Sequence, residues 1–213
     1  MEYSVVIVAA GSGTRMKLGY NKVFAEMKNG RSVLETTLSV FQKDQDCRQI
    51  IVVTDPDEFR RNMNNDIRKY TEVCAGGSTR QESVSRGLSL VKYPYVMIHD
   101  GARPFVTTEL LNRLKKAMVN ENAALLMVPV KDTIKKVEEG YVTGTFVRSE
   151  LKAAQTPQMF ETALIRNCMN QAMQEGYTGT DDASLVEKFS DVRIKAVDGE
   201  YSNYKITTPE DLR

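Results

Sequence analysis

Short apolar runs alternate with segments of helical period along the first 130 residues of the chain. The apolar runs have the continuous hydrophobicity of strands buried on both faces. They lie at residues 5–10, 49–53, 95–99 and 123–130. The helical patterns lie at residues 32–41, 57–70, 79–90 and 108–120. This order predicts an α/β fold of three layers, with a mainly parallel sheet that helices cover on both faces.

Residues 131–152 interrupt the alternation with a different pattern. Polar and apolar residues alternate over 131–137, a turn is expected at Glu139 and Gly140, and a second alternating segment returns over 141–147. This pattern predicts a β-hairpin that projects as an arm. We expect residues 1–213 to form a single domain that carries the arm, with further helices at 161–174 and 182–189.

The charge balance and the length of the apolar runs exclude two classes of partner. The chain has 29 Lys and Arg against 28 Asp and Glu, so it lacks the overall positive charge that favours nucleic acid. No apolar run approaches the roughly 20 residues that span a membrane. The run at residues 5–10 is also too short for a signal peptide, and Glu2 precedes it.

The cysteines and the single histidine limit the possible metal sites. Cys47, Cys74 and Cys168 are an odd number without close spacing, which disfavours both a disulfide framework and a cysteine-based zinc site. His99 alone does not make a multi-histidine site. We therefore expect a reduced, cytoplasmic protein whose cysteines are small core residues.

A glycine-rich turn with basic residues follows the first predicted strand. It has the sequence AGSGTRM over residues 10–16, and Lys22 follows. Glycines allow backbone N–H groups to approach a phosphate, and Arg15 and Lys22 add positive charge. The Gly-Lys-Ser/Thr ending of a Walker A loop is absent, and Met16 stands where a dinucleotide-binding loop has its third glycine. The pattern alone fits both a phosphate-binding loop and a plain tight turn.

Asp100, Gly101 and Arg103 follow the predicted strand at residues 95–99. Ligands of open parallel sheets bind at the carboxyl ends of the strands. A carboxylate there suits a divalent cation that bridges it to phosphate oxygens. A surface ion pair between Asp100 and Arg103 explains the same residues. We expect His99 to be structural, because magnesium seldom binds imidazole.

Two further segments offer residues for a ligand. Gly76 and Gly77 precede a predicted helix and could admit a flat base, with Ser83 supplying a hydrogen bond. Helix capping by Ser78 or Thr79 explains the same segment, and both explanations can hold together. Lys205 lies in a short alternating segment at residues 203–207, which predicts a strand. A lone lysine in such a strand is usually a solvated edge charge.

In combination, eight segments resemble the 2-C-methyl-D-erythritol 4-phosphate cytidylyltransferases of the non-mevalonate isoprenoid pathway. The resemblance extends from Val5 to Leu212. The segments are AAGSGTRM (9–16), NK (21–22), GG (76–77) with Arg80, Ser83 and Val84, HDGARPF (99–105), PVKDTIK (129–135), QTPQ (155–158), TDDAS (180–184) and NYKITTPEDL (203–212). Each segment alone is weak evidence for the family, but coincidence does not explain eight segments in this order.

The resemblance implies a Rossmann-like nucleotidyltransferase fold, an activity and a set of roles. The activity is transfer of a cytidylyl group from CTP to the polyol phosphate, with release of pyrophosphate. The implied catalytic residues are Arg15, Lys22 and Lys205, which neutralise phosphate charge. The implied nucleotide-binding residues are Ala9, Ala10, Gly11, Ser12, Gly13, Gly77, Ser83 and Asp100.

The resemblance also implies a cofactor and an assembly. Asp100 would bind Mg²⁺, and the polyol phosphate would be held by Arg103, Thr133, Arg148 and Lys205. Thr133 and Arg148 lie on the predicted arm and would reach into the site of a neighbouring subunit. The resemblance therefore implies a homodimer that forms through the arm.

Three other functions are compatible with parts of this pattern. Ribitol 5-phosphate cytidylyltransferases share the fold and the CTP site, but they tend to begin with Ala-Gly-Gly and to carry valine before Arg-Pro-Phe. Ala10 and Ala102 occupy those positions here and favour methylerythritol phosphate. A non-catalytic nucleotide-binding module is disfavoured because the basic and acidic site residues are all present. A hexose-phosphate nucleotidyltransferase would not explain Thr133 and Arg148 together with the QTPQ segment.

Overall fold

The structure is a computed structural model that describes residues 1–11 and 21–212. The strands of this part of the chain are β1 (Tyr3–Val8), β2 (Cys47–Val53), β3 (Glu72–Cys74), β4 (Tyr95–Asp100), β5 (Ala123–Pro129), β6 (Lys135–Glu138), β7 (Tyr141–Thr145), β8 (Lys152–Glu161) and β9 (Lys195–Asp198). The α-helices are α1 (Val33–Lys43), α2 (Pro56–Asn62), α3 (Asn65–Lys69), α4 (Arg80–Leu90), α5 (Thr108–Ala117), α6 (Thr162–Gln174) and α7 (Ala183–Phe189). Short 3-10 helices lie at Lys22–Phe24, Arg148–Glu150 and Pro209–Leu212.

One large sheet has the strand order β3-β2-β1-β4-β8-β5-β9. The pairs β1–β2, β1–β4, β2–β3 and β5–β9 are parallel, whereas β8 is antiparallel to both β4 and β5. The predicted, mainly parallel sheet is therefore confirmed, with one reversed strand in its interior. That strand was not predicted.

Helices cover the sheet on both faces, as predicted. Val5 and Val6 are adjacent in β1 and fully buried, but they belong to different hydrophobic clusters. The cluster of Val5 includes Leu38 of α1, and the cluster of Val6 includes Leu88 of α4. Because successive side chains of a strand point to opposite faces, each face of β1 packs against its own helical layer.

Local capping signals fix where the helices begin. Ser32 Oγ accepts a hydrogen bond from the Glu35 N–H group at 3.1 Å, and Glu35 Oε2 accepts one from the Ser32 N–H group at 2.8 Å. This reciprocal pair is a capping box, as the sequence spacing predicts, and it starts α1. A short local sequence therefore determines where α1 begins.

Two predictions about secondary structure are wrong. The helix predicted over 57–70 is split into α2 and α3, because the Asn64 side chain accepts from the Ile67 N–H group and starts a new helix. The segment 203–207 is not a strand. The Ile206 N–H group donates to the Ala102 carbonyl, but the next N–H group, that of Thr207, donates to the Asp211 carboxylate. This segment therefore does not continue as a hydrogen-bonded strand.

The predicted arm is a two-stranded hairpin of β6 and β7, separate from the large sheet. Glu139 and Gly140 form its turn with φ values of 49° and 86°, the left-handed conformation that two-residue hairpin turns require. The arm exposes large apolar side chains, including Tyr141 at 77% and Val142 at 63%. Across the described ranges, no helix has the length and apolar character to cross a membrane.

Candidate active site

A pocket of about 510 Å³ lies at the carboxyl ends of β1 and β4. Val8 and Asp100 are partners in the register of these parallel strands, so the segments that follow them meet at one edge of the sheet. The pocket is lined by Val8, Ala9, Ala10, Gly11, Asn21, Lys22, Val23, Gly77, Ser78, Thr79, Arg80, Ser83, Asp100, Ala102, Lys205 and Thr207. A second cavity of about 560 Å³ beside α1, β2 and α3 contains no predicted site residue among its described lining.

Asp100 is the acidic centre of the pocket and is surrounded by cations. Its Oδ2 atom lies 2.8 Å from Lys205 Nζ and 3.7 Å from Arg103 Nε, and its Oδ1 atom lies 3.4 Å from Arg80 Nε. Burial raises the pKa of the Asp100 carboxyl. The positive charges of Lys205, Arg80 and Arg103 lower it by a larger amount, so the net pKa lies well below its usual range. Asp100 is therefore an anionic oxygen donor at neutral pH.

Lys22 lines the same pocket as Asp100. Asn21 caps the short helix that carries Lys22, and the Asn21 side chain donates to the Ala9 carbonyl at 2.5 Å. Lys22 Nζ donates to the Ile206 carbonyl at 2.7 Å. Segments close to the two ends of the chain thus bring Lys22 and Lys205 to one pocket.

The glycine pair lies where two loops approach closely. A Cβ atom on Gly76 would overlap the Cβ atom of Ala10, so this approach requires glycine. The Gly77 N–H group donates to Ser83 Oγ at 3.0 Å, and Ser83 Oγ donates to the Thr79 carbonyl at 2.9 Å. Thr79 also caps α4, so the two explanations of this segment, pocket lining and helix capping, hold together.

His99 has a structural position, as expected. Thr156 Oγ1 accepts from the Asp100 N–H group at 3.0 Å, which leaves its own hydrogen for His99 Nδ1 at 3.1 Å. His99 Nε2 is then the protonated nitrogen and donates to the Arg103 carbonyl at 3.1 Å. Burial lowers the pKa of His99 to about 4. The neutral ring thus holds the backbone on both sides of Gly101.

Arg103, Thr133 and Arg148 are described residues that lie outside the pocket lining. Arg103 is beside it, where Nη1 donates to the Asn203 carbonyl at 2.8 Å while the buried Nε has no hydrogen-bond partner among the described residues. Burial lowers the pKa of Arg103, and the charge of Asp100 opposes that effect. Thr133 and Arg148 are exposed on the arm, and Arg148 Nη1 donates to the Lys131 carbonyl at 3.1 Å.

Arg15, Ser12 and Gly13, which were predicted to bind the nucleotide, lie outside the described residues. Conversely, two residues of the site were given no role by the sequence argument. Arg80 lines the pocket, and the Asp182 carboxylate forms an ion pair with the Arg80 guanidinium. Both lie in segments that carry the family resemblance, which was the only available signal for them.

Comparison with known proteins assigns the family. The family model described as IspD, 2-C-methyl-D-erythritol 4-phosphate cytidylyltransferase, matches residues 3–213. The chain belongs to this family. It is therefore a nucleotidyltransferase, as the resemblance implied.

Relatives and solved structures agree with this assignment. Two proteins named 2-C-methyl-D-erythritol 4-phosphate cytidylyltransferase match over 217 residues, which are 100% of this chain. The one from Bacillus velezensis is 45% identical over 93% of its length, and the one from Halalkalibacterium halodurans is 47% identical over 94%.

Two crystal structures confirm the predicted nucleotidyltransferase fold. The 4-diphosphocytidyl-2C-methyl-D-erythritol synthase of Anaerococcus prevotii has a TM-score of 0.87 at 33% identity, covering 98% of this chain and 92% of that one. The 2-C-methyl-D-erythritol 4-phosphate cytidylyltransferase of Thermus thermophilus has a TM-score of 0.83 at 33% identity, covering 100% and 96%.

Proposed function

We propose that this site transfers the cytidylyl group of CTP to 2-C-methyl-D-erythritol 4-phosphate, giving 4-diphosphocytidyl-2-C-methyl-D-erythritol and pyrophosphate. The observation that carries the proposal is the convergence of Lys22, Lys205 and Asp100 on one pocket at the carboxyl edge of the sheet. The chain belongs to the family named for this reaction. The alternatives of ribitol phosphate as acceptor and of a non-catalytic module are not favoured by these matches.

The cytidine would lie between the two glycine-containing loops. Ala9, Ala10, Gly11 and Gly77 line the pocket, and their small side chains leave room for a base. The Ser83 hydroxyl already gives its hydrogen to the Thr79 carbonyl, so only a lone pair remains for a ligand. A lone pair suits the exocyclic amino group of cytosine, which donates, and not the carbonyl oxygen at the same position of uracil.

The reaction needs charge neutralisation and positioning more than covalent catalysis. An anionic oxygen of the acceptor phosphate attacks the α-phosphorus, and the bond to the bridging oxygen breaks as pyrophosphate leaves with the electron pair. Lys22, together with Arg15, would neutralise the triphosphate and the charge of the transition state. Because the nucleophile is already ionised, holding it in line supplies most of the remaining effect.

Asp100 fits the role of a magnesium ligand. Its carboxylate is anionic and only 11% exposed, and magnesium sites of this kind combine one or two carboxylates with phosphate oxygens and waters. Within the described residues no cluster of three His, Cys, Asp or Glu could hold a metal by itself, so the nucleotide would supply the other ligands. When bound, the ion would neutralise part of the phosphate charge.

Lys205 would contact the acceptor phosphate. It is bonded to Asp100, but its side chain is 35% exposed, and the flexible stem of lysine allows the ammonium group to turn towards a phosphate. Arg103, buried beside Asp100 with an Nε atom that makes no hydrogen bond among the described residues, would provide a second positive group. Both residues place positive charge beside Asp100.

We propose a homodimer in which each arm completes the partner's site. Thr133 and Arg148 do not line the pocket of their own chain. The exposed apolar side chains of the arm, including Phe146 at 48%, offer a surface for a second copy. A twofold dimer would bring these residues to the neighbouring pocket.

We also propose that the protein works in the reducing environment of the cytoplasm. Cys47, Cys74 and Cys168 are free thiols. Burial raises the pKa of the Cys47 thiol to about 12, which keeps this half-buried thiol in its unreactive protonated form, whereas Cys168 is a buried core residue.

Pyrophosphate release tests the proposed acceptor directly. The purified chain would be given CTP and magnesium with 2-C-methyl-D-erythritol 4-phosphate, with ribitol 5-phosphate, or with no acceptor. We expect release with the first acceptor alone. Release with ribitol 5-phosphate alone would contradict the acceptor assignment and retain the CTP site, whereas no release with either would contradict the activity.

A further inference from the structure

Arg80 connects Asp100 to a second carboxylate that is buried behind the pocket. The Nη1 and Nη2 atoms of Arg80 donate to Asp182 Oδ1 and Oδ2 at 3.0 and 2.7 Å, and Arg80 Nε lies 3.4 Å from Asp100 Oδ1. The Asp182 side chain is 2% exposed. Two parallel hydrogen bonds fix the plane of a guanidinium, so Arg80 is held from the Asp182 side.

The start of α7 is built so that the Asp182 carboxylate is available. Asp182 stands at the N-cap position, where an aspartate usually accepts from the first helical turn, but its side chain makes no capping bond. Instead, Gln158 Oε1 accepts from the Ala183 N–H group and Asp181 Oδ1 accepts from the Ser184 N–H group, both at 2.9 Å. Two neighbours cap the helix in place of Asp182.

The cations around Asp100 differ in how firmly they are held. Lys205 is bonded to Asp100 through a flexible side chain, whereas Arg80 has a bidentate second partner. Asp182 also offsets the charge of Arg80, so that three cations face two carboxylates instead of one. A divalent cation that approaches Asp100 is therefore repelled less than it would be without Asp182.

We propose that Asp182 is a positioning residue for the magnesium complex of CTP. By binding both Nη atoms of Arg80, it limits the guanidinium to one long contact with Asp100 through Nε and so leaves that carboxylate available to the metal ion. This inference deepens the proposed function and rests on it. It assigns a purpose to the TDDAS segment, which the reaction itself does not use.

The test compares CTP binding with and without magnesium. For Asp182→Asn, isothermal titration calorimetry should show affinity for CTP with magnesium reduced roughly 10-fold or more, the usual effect of removing a partner that orients a metal ligand. Affinity for CTP in EDTA should stay within about 2-fold of the unmodified chain, since the metal is then not involved. Equal losses in both conditions would overturn the inference.

Asp44→Asn is the matched control. Asp44 is 5% exposed and bonded to Lys115 Nζ at 2.9 Å, at the end of the strands away from the pocket. This substitution also breaks a buried ion pair and should lower the free energy of unfolding. It should leave the effect of magnesium on CTP affinity unchanged. A loss equal to that of Asp182→Asn would overturn the inference, because general destabilisation would then explain both.

A double-mutant cycle tests whether Asp182 acts through Arg80. In an Arg80→Met background, Asp182→Asn should cause little further loss of magnesium-dependent affinity, because the coupled residue is already absent. Additive losses would show that Asp182 acts by another route. If Asp182→Asn does not fold, Arg80→Lys serves in its place, since it keeps the charge and loses the fork. Native magnesium-dependent affinity in Arg80→Lys would contradict the proposal.

The outcomes separate this inference from the proposed function. An unmodified chain whose CTP affinity does not respond to magnesium would contradict the proposed magnesium site and the inference with it, whereas pyrophosphate release tests the proposed function separately. An unmodified chain that responds, with an equal response from Asp182→Asn, would contradict the inference alone.

Discussion

Lys205 Nζ donates to Asp100 Oδ2 at 2.8 Å, which joins residues 105 positions apart in the sequence. The contact places the C-terminal segment over the end of β4. Lys22 Nζ meets the same segment at the Ile206 carbonyl. Segments near the two ends of the chain therefore meet at the pocket, and its positive charge depends on both of them.

Replacing Lys205 should reduce activity without unfolding the protein. Lys205→Ala removes a cation that the acceptor phosphate would need, and we expect kcat/KM to fall by about 100-fold or more. The side chain is 35% exposed, so little packing is lost. Pyrophosphate release measures the effect, with Lys92→Ala as control because Lys92 is 66% exposed and pairs with Glu72 away from the pocket. Equal activity in both variants would show that Lys205 is not required for the reaction.

Replacing Ser83 should weaken selection of the base. Ser83→Ala removes the acceptor of the Gly77 N–H group and the lone pair offered to cytosine, so KM for CTP should rise by roughly 5- to 20-fold with a smaller change in kcat. The preference for CTP over UTP should fall with it. Ser89→Ala is the control, since Ser89 lies on the same helix but is exposed. An unchanged preference would place base recognition elsewhere.

Mixing two inactive variants tests the shared site. Lys22→Ala and Arg148→Ala should each be strongly impaired. In a mixed dimer, one pocket would combine an intact Lys22 with the partner's intact arm, so equal mixing with free exchange should restore about a quarter of full activity. No gain, with mixed dimers demonstrated by differential tagging, would place Arg148 in the pocket of its own chain or outside the site.

The parallel part of the sheet could be predicted because its strands are continuous apolar runs. β8 could not, since it contains Pro157 and the buried polar residues Gln155, Thr156 and Gln158. These side chains are inside because they have partners there: Thr156 holds His99, and Gln158 bonds to Asp181. A strand whose polar residues support a site has no hydrophobic pattern to identify it.

The same distinction applies to the site. Asp100 and the glycine loops could be located because each follows a predicted strand or precedes a predicted helix. The pairing of Arg80 with Asp182 joins residues 102 positions apart, and no spacing in the sequence connects them. Lys205 was found by resemblance, while its predicted strand was wrong, because its position depends on contacts with β4 and not on a local pattern.

The single histidine provides a test of the buried network. Burial lowers the pKa of His99 from 6.5 to about 4. Between these values the unfolded chain binds a proton that the folded chain does not, so the contribution of His99 to stability should fall by roughly 3 kcal/mol as the pH falls from about 6.5 to 4. The NMR signal of the imidazole, followed in magnesium-free buffer, should not titrate above pH 5. A midpoint near 6.5 would show that the ring is solvated.

The most direct measurement is phosphorus NMR of a reaction that contains the chain, CTP, magnesium and 2-C-methyl-D-erythritol 4-phosphate. We expect the three CTP signals to be replaced by free pyrophosphate and by the coupled pair of a diphosphate that joins two alcohols. That result requires transfer of the cytidylyl group to the acceptor phosphate. Persistence of CTP together with unchanged acceptor, or its conversion to CDP and inorganic phosphate, would contradict the proposed reaction.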